Sequence, residues 1–144
     1  MLDISDIFKD RYDEIQMEVY SRFSKWLDNH LSSDLPNNVI AVNFNLYEGV
    51  EKNYNIEFVG CGTFDADDED WVCNEVFTTR EDLFCVYRAD DISNWQQGLI
   101  FITALVKKYL EEGTHANKLK KYAAVGIGFV DGNIEILHQS LHNA

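Results

Sequence analysis

Proline is almost missing from this chain, and so is positive charge: 144 residues hold one proline and 12 Lys or Arg against 25 Asp or Glu. With Pro36 alone and eight glycines, long disordered linkers are excluded, because such segments are rich in these residues. The scarcity of Lys and Arg disfavours nucleic acid as a ligand, since phosphates need a cationic surface; the one basic cluster is Lys118, Lys120 and Lys121. No stretch approaches the roughly 20 apolar residues that span a bilayer. The opening MLDISDIFKD has no basic leader followed by an apolar run, so no secretory signal or membrane association is predicted and a cytoplasmic location is expected. Cysteines number three, without a CxxC pair, in a chain of a size that folds without bridges. Cys61, Cys73 and Cys85 are therefore expected as reduced, strand-borne core thiols.

Catalytic and cofactor motifs are equally scarce. There is no GxSxG, and no Ser or Cys stands in a recognisable nucleophile setting. Gly126 and Gly128 lie inside an apolar strand pattern with no helix following, which predicts close packing or a bulge, not a phosphate loop. His30, His115, His138 and His142 are scattered and lack a third metal ligand nearby in sequence. The run DADDED at 65–70 imitates the start of a calcium loop. Yet Asp70 stands where that loop needs glycine, and Val76 where it needs its bidentate glutamate. No metal, no cofactor and no enzymatic reaction is predicted.

What the chain does have is acid, and it is concentrated. The net charge is −13 at pH 7, and residues 48–91 alone carry thirteen Asp or Glu against three Lys or Arg. Clustered carboxylates repel one another and lower stability, so a chain that keeps them is expected to use their field, for example to steer a basic partner. A hydrophobic fraction of 46 %, with nine Phe, seven Tyr and three Trp, is ample for the core of a single domain spanning 1–144.

Periodicity places the elements. Phe8, Tyr12, Ile15, Val19, Phe23, Trp26 and His30 recur at steps of three and four, which predicts one amphipathic helix over the first 31 residues. Pro36 and Asn37-Asn38 end it. In VIAVNFNLY the period changes to two, with Ile40, Val42, Phe44 and Leu46 on one side and Ala41, Asn43 and Asn45 on a polar side. YNIEFVGCGTF, WVCNEVF and LFCVY follow, and together these predict a meander of four strands. A second helix is expected over 93–112, started by a Ser93–Gln96 capping box, buried through Leu99, Ile102, Val106 and either Tyr109 or Leu110, and stopped by a left-handed Gly113. A helical turn over 114–121 and a hairpin around Asp131-Gly132 complete the chain. The fold class is α+β, an antiparallel sheet of about six strands with both helices on one face.

The candidate binding residues come from the acidic segment. Asp65, Asp67, Asp68, Glu69 and Asp70 cannot all be buried, so they must project from one rim. Glu48, Glu51, Glu75, Glu81, Asp82, Asp90 and Asp91 occupy neighbouring loops of the same strand group, and within a Debye length of about 8 Å such charges add. Trp71 and Trp95 stand beside these loops. Each suits the core, and either, if exposed, suits the apolar anchor that carboxylates alone do not supply.

The helix and hairpin WQQGLIFITALVKKYLEEG and LKKYAAVGIGFVDGNIEIL, preceded by FDADDEDWVCNEVFTT, resemble bacterial immunity proteins encoded beside polymorphic or contact-dependent growth-inhibition toxins. The resemblance covers roughly residues 39–138. It implies a cytosolic protein, a monomer in a 1:1 complex, that binds and neutralises one toxin domain, often a basic nuclease. The partner-binding set expected on this reading is Glu48, Glu51, Asp65, Asp67, Asp68, Glu69, Asp70, Trp71, Glu75, Asp90 and Asp91. The alternatives are an acidic interaction or regulatory module without a toxin partner, and an enzyme whose groups only a pocket would reveal.

Overall fold

The computed structural model of the chain describes residues 4–49, 53–87, 92 and 94–140, with side chains from residue 11 onward. Helix α1 (Ile4–Leu31) is the long amphipathic helix expected. It buries Val19, Phe23, Leu27 and Leu31, an unbroken i, i+4 series, and the expected stripe therefore runs slightly off the true one. Ile15 is exposed, and Trp26 and His30 sit at the flank, where Trp26 Nε1 donates to the Asp82 carbonyl at 2.9 Å and His30 meets the Asp82 carboxylate at 2.8 Å. The turn bearing Asp82 is thereby committed to α1.

Strands β1 (Ala41–Glu48) and β2 (Asn53–Cys61) form the antiparallel hairpin expected, with Ala41 opposite Cys61 and Glu48 opposite Tyr54. The next two strands, β3 (Glu75–Thr78) and β4 (Phe84–Tyr87), do not continue a meander. Both pair antiparallel with β2, β3 along Val59–Cys61 and β4 along Asn53–Ile56, so they lie end to end on one edge. The intervening TTRED makes a turn, with the Asp82 N–H on the Thr79 carbonyl at 2.8 Å, but it does not reverse the strand direction. Thr79 instead stays bonded to Phe58 on both sides, donating its N–H to the Phe58 carbonyl and accepting the Phe58 N–H on Oγ1. The segment is an excursion within one interrupted edge strand.

That one departure explains the next. The chain returns over the sheet through α2 (Trp95–Glu112) and α3 (Ala116–Lys120), then enters β5 (Ala124–Phe129) and β6 (Glu135–Gln139). Since β3 and β4 share one direction, the helical return delivers β5 parallel to β1, with Val42 opposite Val125 and Leu46 opposite Phe129. The sheet is mixed, in the order β3-β2-β1-β5-β6, with β4 beside β2. The α+β class, the six strands and the helices on one face are as expected; the all-antiparallel pairing is not. The Asp131-Gly132 hairpin forms, with a five-residue loop at 130–134.

Helix α2 starts one residue later than its predicted cap: Asn94 accepts from the Gln97 N–H at 3.0 Å, and Ser93 lies outside the described residues. Gly113 ends it at φ −67°, extended and not left-handed. Among the described residues no helix is long and apolar enough to cross a membrane. The main core joins α1 and α2 to one face of the sheet through Phe23, Phe44, Ile56, Phe58, Phe101, Ile102, Val106 and Ile127.

The opposite face of β1, the polar side of the expected alternation, is buried as well: Asn43 is 0 % exposed and Asn45 nearly as covered. β1 is the central strand, and residues 62–74 close over it. Trp71, 4 % exposed, packs there with Ala41, Val59, Cys61 and Ala124 in a second cluster.

The start of α2 is fixed by Tyr54, whose buried hydroxyl lies 2.7 Å from the Ile92 carbonyl and 2.9 Å from that of Asn94. Gly98 makes this possible, because a Cβ there would stand 2.4 Å from Tyr54 Cζ. Alanine favours an exposed helix by about 1 kcal/mol over glycine. At this site overpacking wins: Gly98→Ala is expected to destabilise by about 1–3 kcal/mol, read as a lower urea midpoint at unchanged slope.

Candidate functional site

The second face is organised by one carboxylate. Glu57 on β2 is 1 % exposed in its side chain and lies directly opposite Asn45 on β1. It accepts from Asn45 Nδ2 at 3.2 Å, from Tyr47 Oη at 2.6 Å and from Thr78 Oγ1 in a short bond, and Arg80 Nε stands 3.4 Å away. A carboxylate can only accept, so Asn45 must turn Nδ2 toward it and offer Oδ1 to Asn43 Nδ2, at 2.7 Å. The chain of amides is polarised by that charge. It ends at Asn43 Oδ1, which has no hydrogen-bond donor among the described residues and faces Gly126, where a Cβ would come within 2.5 Å. Gly126 is thus a close-approach glycine, as its place inside an apolar strand suggests.

Burial pushes the Glu57 carboxyl up, but the bonds from Thr78, Tyr47 and Asn45 and the nearby Arg80 guanidinium outweigh it and hold the pKa below the ordinary value. Tyr47 moves the other way. Burial and its bond to Glu57 push its phenol to about 12, so it stays a proton donor. Arg80 also reaches Glu75, Nη2 to Oε2 at 2.7 Å, and ties the β3 end to the same network. None of these groups is arranged as nucleophile and base.

The acidic segment covers this face. Asp65 Oδ1 accepts from the Asp67 N–H and Asp68 Oδ1 from the Asp70 N–H, two side-chain turns that lead into a 3-10 helix at Glu69–Cys73. Trp71 plunges from that helix into the second cluster, edge-on to Phe64 with ring centroids 5.2 Å apart. Glu69 Oε1 accepts the Ile134 N–H at 3.3 Å and joins the segment to the 130–134 loop.

Two grooves meet at that loop, both including Gly132. The first, about 300 Å³, lies on the second face and has Glu69, Asp70 and Glu75 on its rim with Asn45, Tyr47 and Ile134 among its lining. The second, about 510 Å³, lies between α2 and the loop, with Glu48 and Asp131 beside Trp95, Leu99 and Phe129. The geometry follows from the parallel pair. Leu46 faces Phe129 in register and the Val130 N–H bonds the Leu46 carbonyl at 3.1 Å, so Glu48 and Asp131 emerge from neighbouring strand ends.

Of the predicted binding residues, Glu48, Glu69, Asp70 and Glu75 gather around this loop. Asp65, Asp67 and Asp68 are exposed on the segment leading into it, without lining either groove. Glu51, Asp90 and Asp91 lie outside the described residues. Trp71 is corrected from surface anchor to core, and the exposed indole is Trp95, at 49 %. Asp131 was visible only as a turn residue; its place beside Glu48 depends on the parallel pairing, which no local pattern signals. The cysteines also divide: Cys61 is buried, its thiol pushed by burial to about 12, whereas Cys73 and Cys85 are exposed. Among the described residues no three His, Cys, Asp or Glu side chains converge on a point that could hold a metal ion. Comparison with protein-family models, with curated proteins and with solved structures finds no match.

Glu57→Gln removes the charged acceptor at the centre of the network and is expected to cost about 1.5–3 kcal/mol near neutral pH. Because the folded carboxyl titrates below the ordinary value of 4.5, its stabilisation is complete above that value and is lost as pH falls through the lower folded pKa. Denaturation followed from about pH 7 to about pH 3 should therefore show the wild type converging on the variant in acid. A gap independent of pH contradicts this role.

Proposed function

We propose that the protein is a binding protein of the immunity type, which docks a basic protein domain, such as a cationic nuclease toxin, on the acidic surface around the 130–134 loop. The observation that carries this reading is the gathering of Glu48, Glu69, Asp70, Glu75 and Asp131 on the two grooves that share this loop. A charge asymmetry supports it. Lys118, Lys120 and Lys121 belong to α3 and its end, at the opposite end of β5 from the loop, and Lys118 is engaged with the carbonyls of Leu31 and Ser33. A molecule with acid at one end of a strand and base at the other orients a cationic partner before contact.

Mechanistically, the field brings the encounter rate toward about 10⁸–10⁹ M⁻¹s⁻¹ at low salt. The apolar floor then holds the complex, and the carboxylates occupy the surface with which a nuclease binds phosphate. Inhibition follows from exclusion, so it needs no reaction of the inhibitor.

The direct experiment is capture of the toxin domain encoded beside this gene, with association measured by stopped flow. Asp67→Lys combined with Asp70→Lys is expected to slow association about tenfold or more at low salt and to flatten its salt dependence. An unchanged association rate contradicts the steering role, and failure to bind any basic domain contradicts the reading.

A further inference from the structure

The larger groove fits one kind of side chain. Its wall is Trp95, the first residue of α2, half-exposed and set perpendicular to Phe129 at a centroid distance of 6.2 Å. Phe129 packs in turn on the buried Tyr54, centroids 5.9 Å apart, and Tyr54 grips the backbone at Ile92 and Asn94 just before the helix. The indole is therefore built on a fixed support. The same groove is lined by two carboxylates, Glu48 and Asp131, delivered by the neighbouring parallel strand ends. A large aromatic surface left half in water beside two anions is complementary to a group both flat and cationic.

Resting on the binding reading above, we propose that this groove takes an arginine side chain of the basic partner, with its guanidinium laid on the Trp95 indole between Glu48 and Asp131. The planar guanidinium stacks on an aromatic face and carries forked donors for carboxylates, whereas a lysine ammonium is a strongly hydrated point charge. The start of α2 opposes a cation with about half a positive charge, which is less than the charge of one carboxylate. The groove on the second face has Tyr47 as its aromatic, whose hydroxyl is held by Glu57, in place of an exposed indole. Its rim serves the long-range field, and Glu75 there pairs with Arg80. Trp and Arg are the residues on which interface affinity concentrates, so this contact is the anchor of the complex.

The test uses the intact protein and a blocked Gly-Arg-Gly peptide, followed by nitrogen–proton correlation spectra. Trp95→Phe identifies the Trp95 indole signal. That signal is expected to move saturably with the arginine peptide, less with a lysine peptide, and not with the citrulline peptide, which keeps the shape and loses the charge. Glu48→Gln with Asp131→Asn, both surface changes, should weaken arginine-peptide binding about tenfold or more. Movement of signals from residues 69–75 with the Trp95 indole still overturns this groove and leaves the acidic-surface reading standing. Equal shifts from arginine and citrulline peptides overturn the arginine assignment. No shift anywhere overturns both.

Discussion

β1 is taken out of water on both faces, and every notable feature of this molecule follows from how its second face is closed. The first face is covered conventionally, by α1 and α2 over Val42, Phe44 and Leu46. The second presents Ala41, Asn43 and Asn45, of which two are amides that need partners once buried. Glu57 supplies the partner, and its charge fixes the direction of each amide in the row. Thr78, Tyr47 and Arg80 then satisfy the carboxylate from three further positions. A half-satisfied version of this network would cost more than an apolar core of the same shape.

Closing that face requires a cover, and the chain uses its most acidic segment. Residues 62–74 reach over the sheet because Trp71 has an apolar seat among Ala41, Val59 and Ala124, while Asp65, Asp67, Asp68, Glu69 and Asp70 remain in solvent. One tryptophan thus holds in place a set of carboxylates that repel one another. The asymmetry between a buried indole and its exposed acidic neighbours separates the two tasks of the segment: Trp71 holds the fold, and the carboxylates set the field. Glu69 shares in both, since it bonds the 130–134 loop and stands on the rim of a groove.

Elements governed by local pattern were legible in the sequence: α1, α2, the β1–β2 hairpin and the final hairpin all stand where periodicity and turn residues put them. The departures in strand direction have one source. TTRED between two apolar runs reads as a reversal, but the turn it makes, Asp82 N–H on the Thr79 carbonyl, returns the chain to the same edge in the same direction. Treating it as a reversal miscounts the strand directions by one, and β5 then becomes antiparallel to β1 instead of parallel. The place of Asp131 beside Glu48 was hidden by the same miscount. Trp71 and Trp95 flank the acidic segment alike in sequence, and only the apolar seat on the second face distinguishes the buried one from the exposed one. The burial of the polar side of VIAVNFNLY is not legible, because nothing in a strand's own residues announces a cover supplied thirty positions later. Glu57 alternated correctly onto that side, but a lone carboxylate in a strand does not reveal three donors coming from other strands.

On the proposed reading a basic partner docks on one side of a charge-asymmetric molecule, and its position can be read directly. Amide hydrogen exchange of the protein alone and in complex with the basic toxin domain maps the buried surface residue by residue. New protection is expected at 69–75, at 130–134 and at the start of α2, with 116–121 unchanged. Protection confined to α1, α3 or the β4 edge, with the 130–134 loop exchanging as in the free protein, would contradict it.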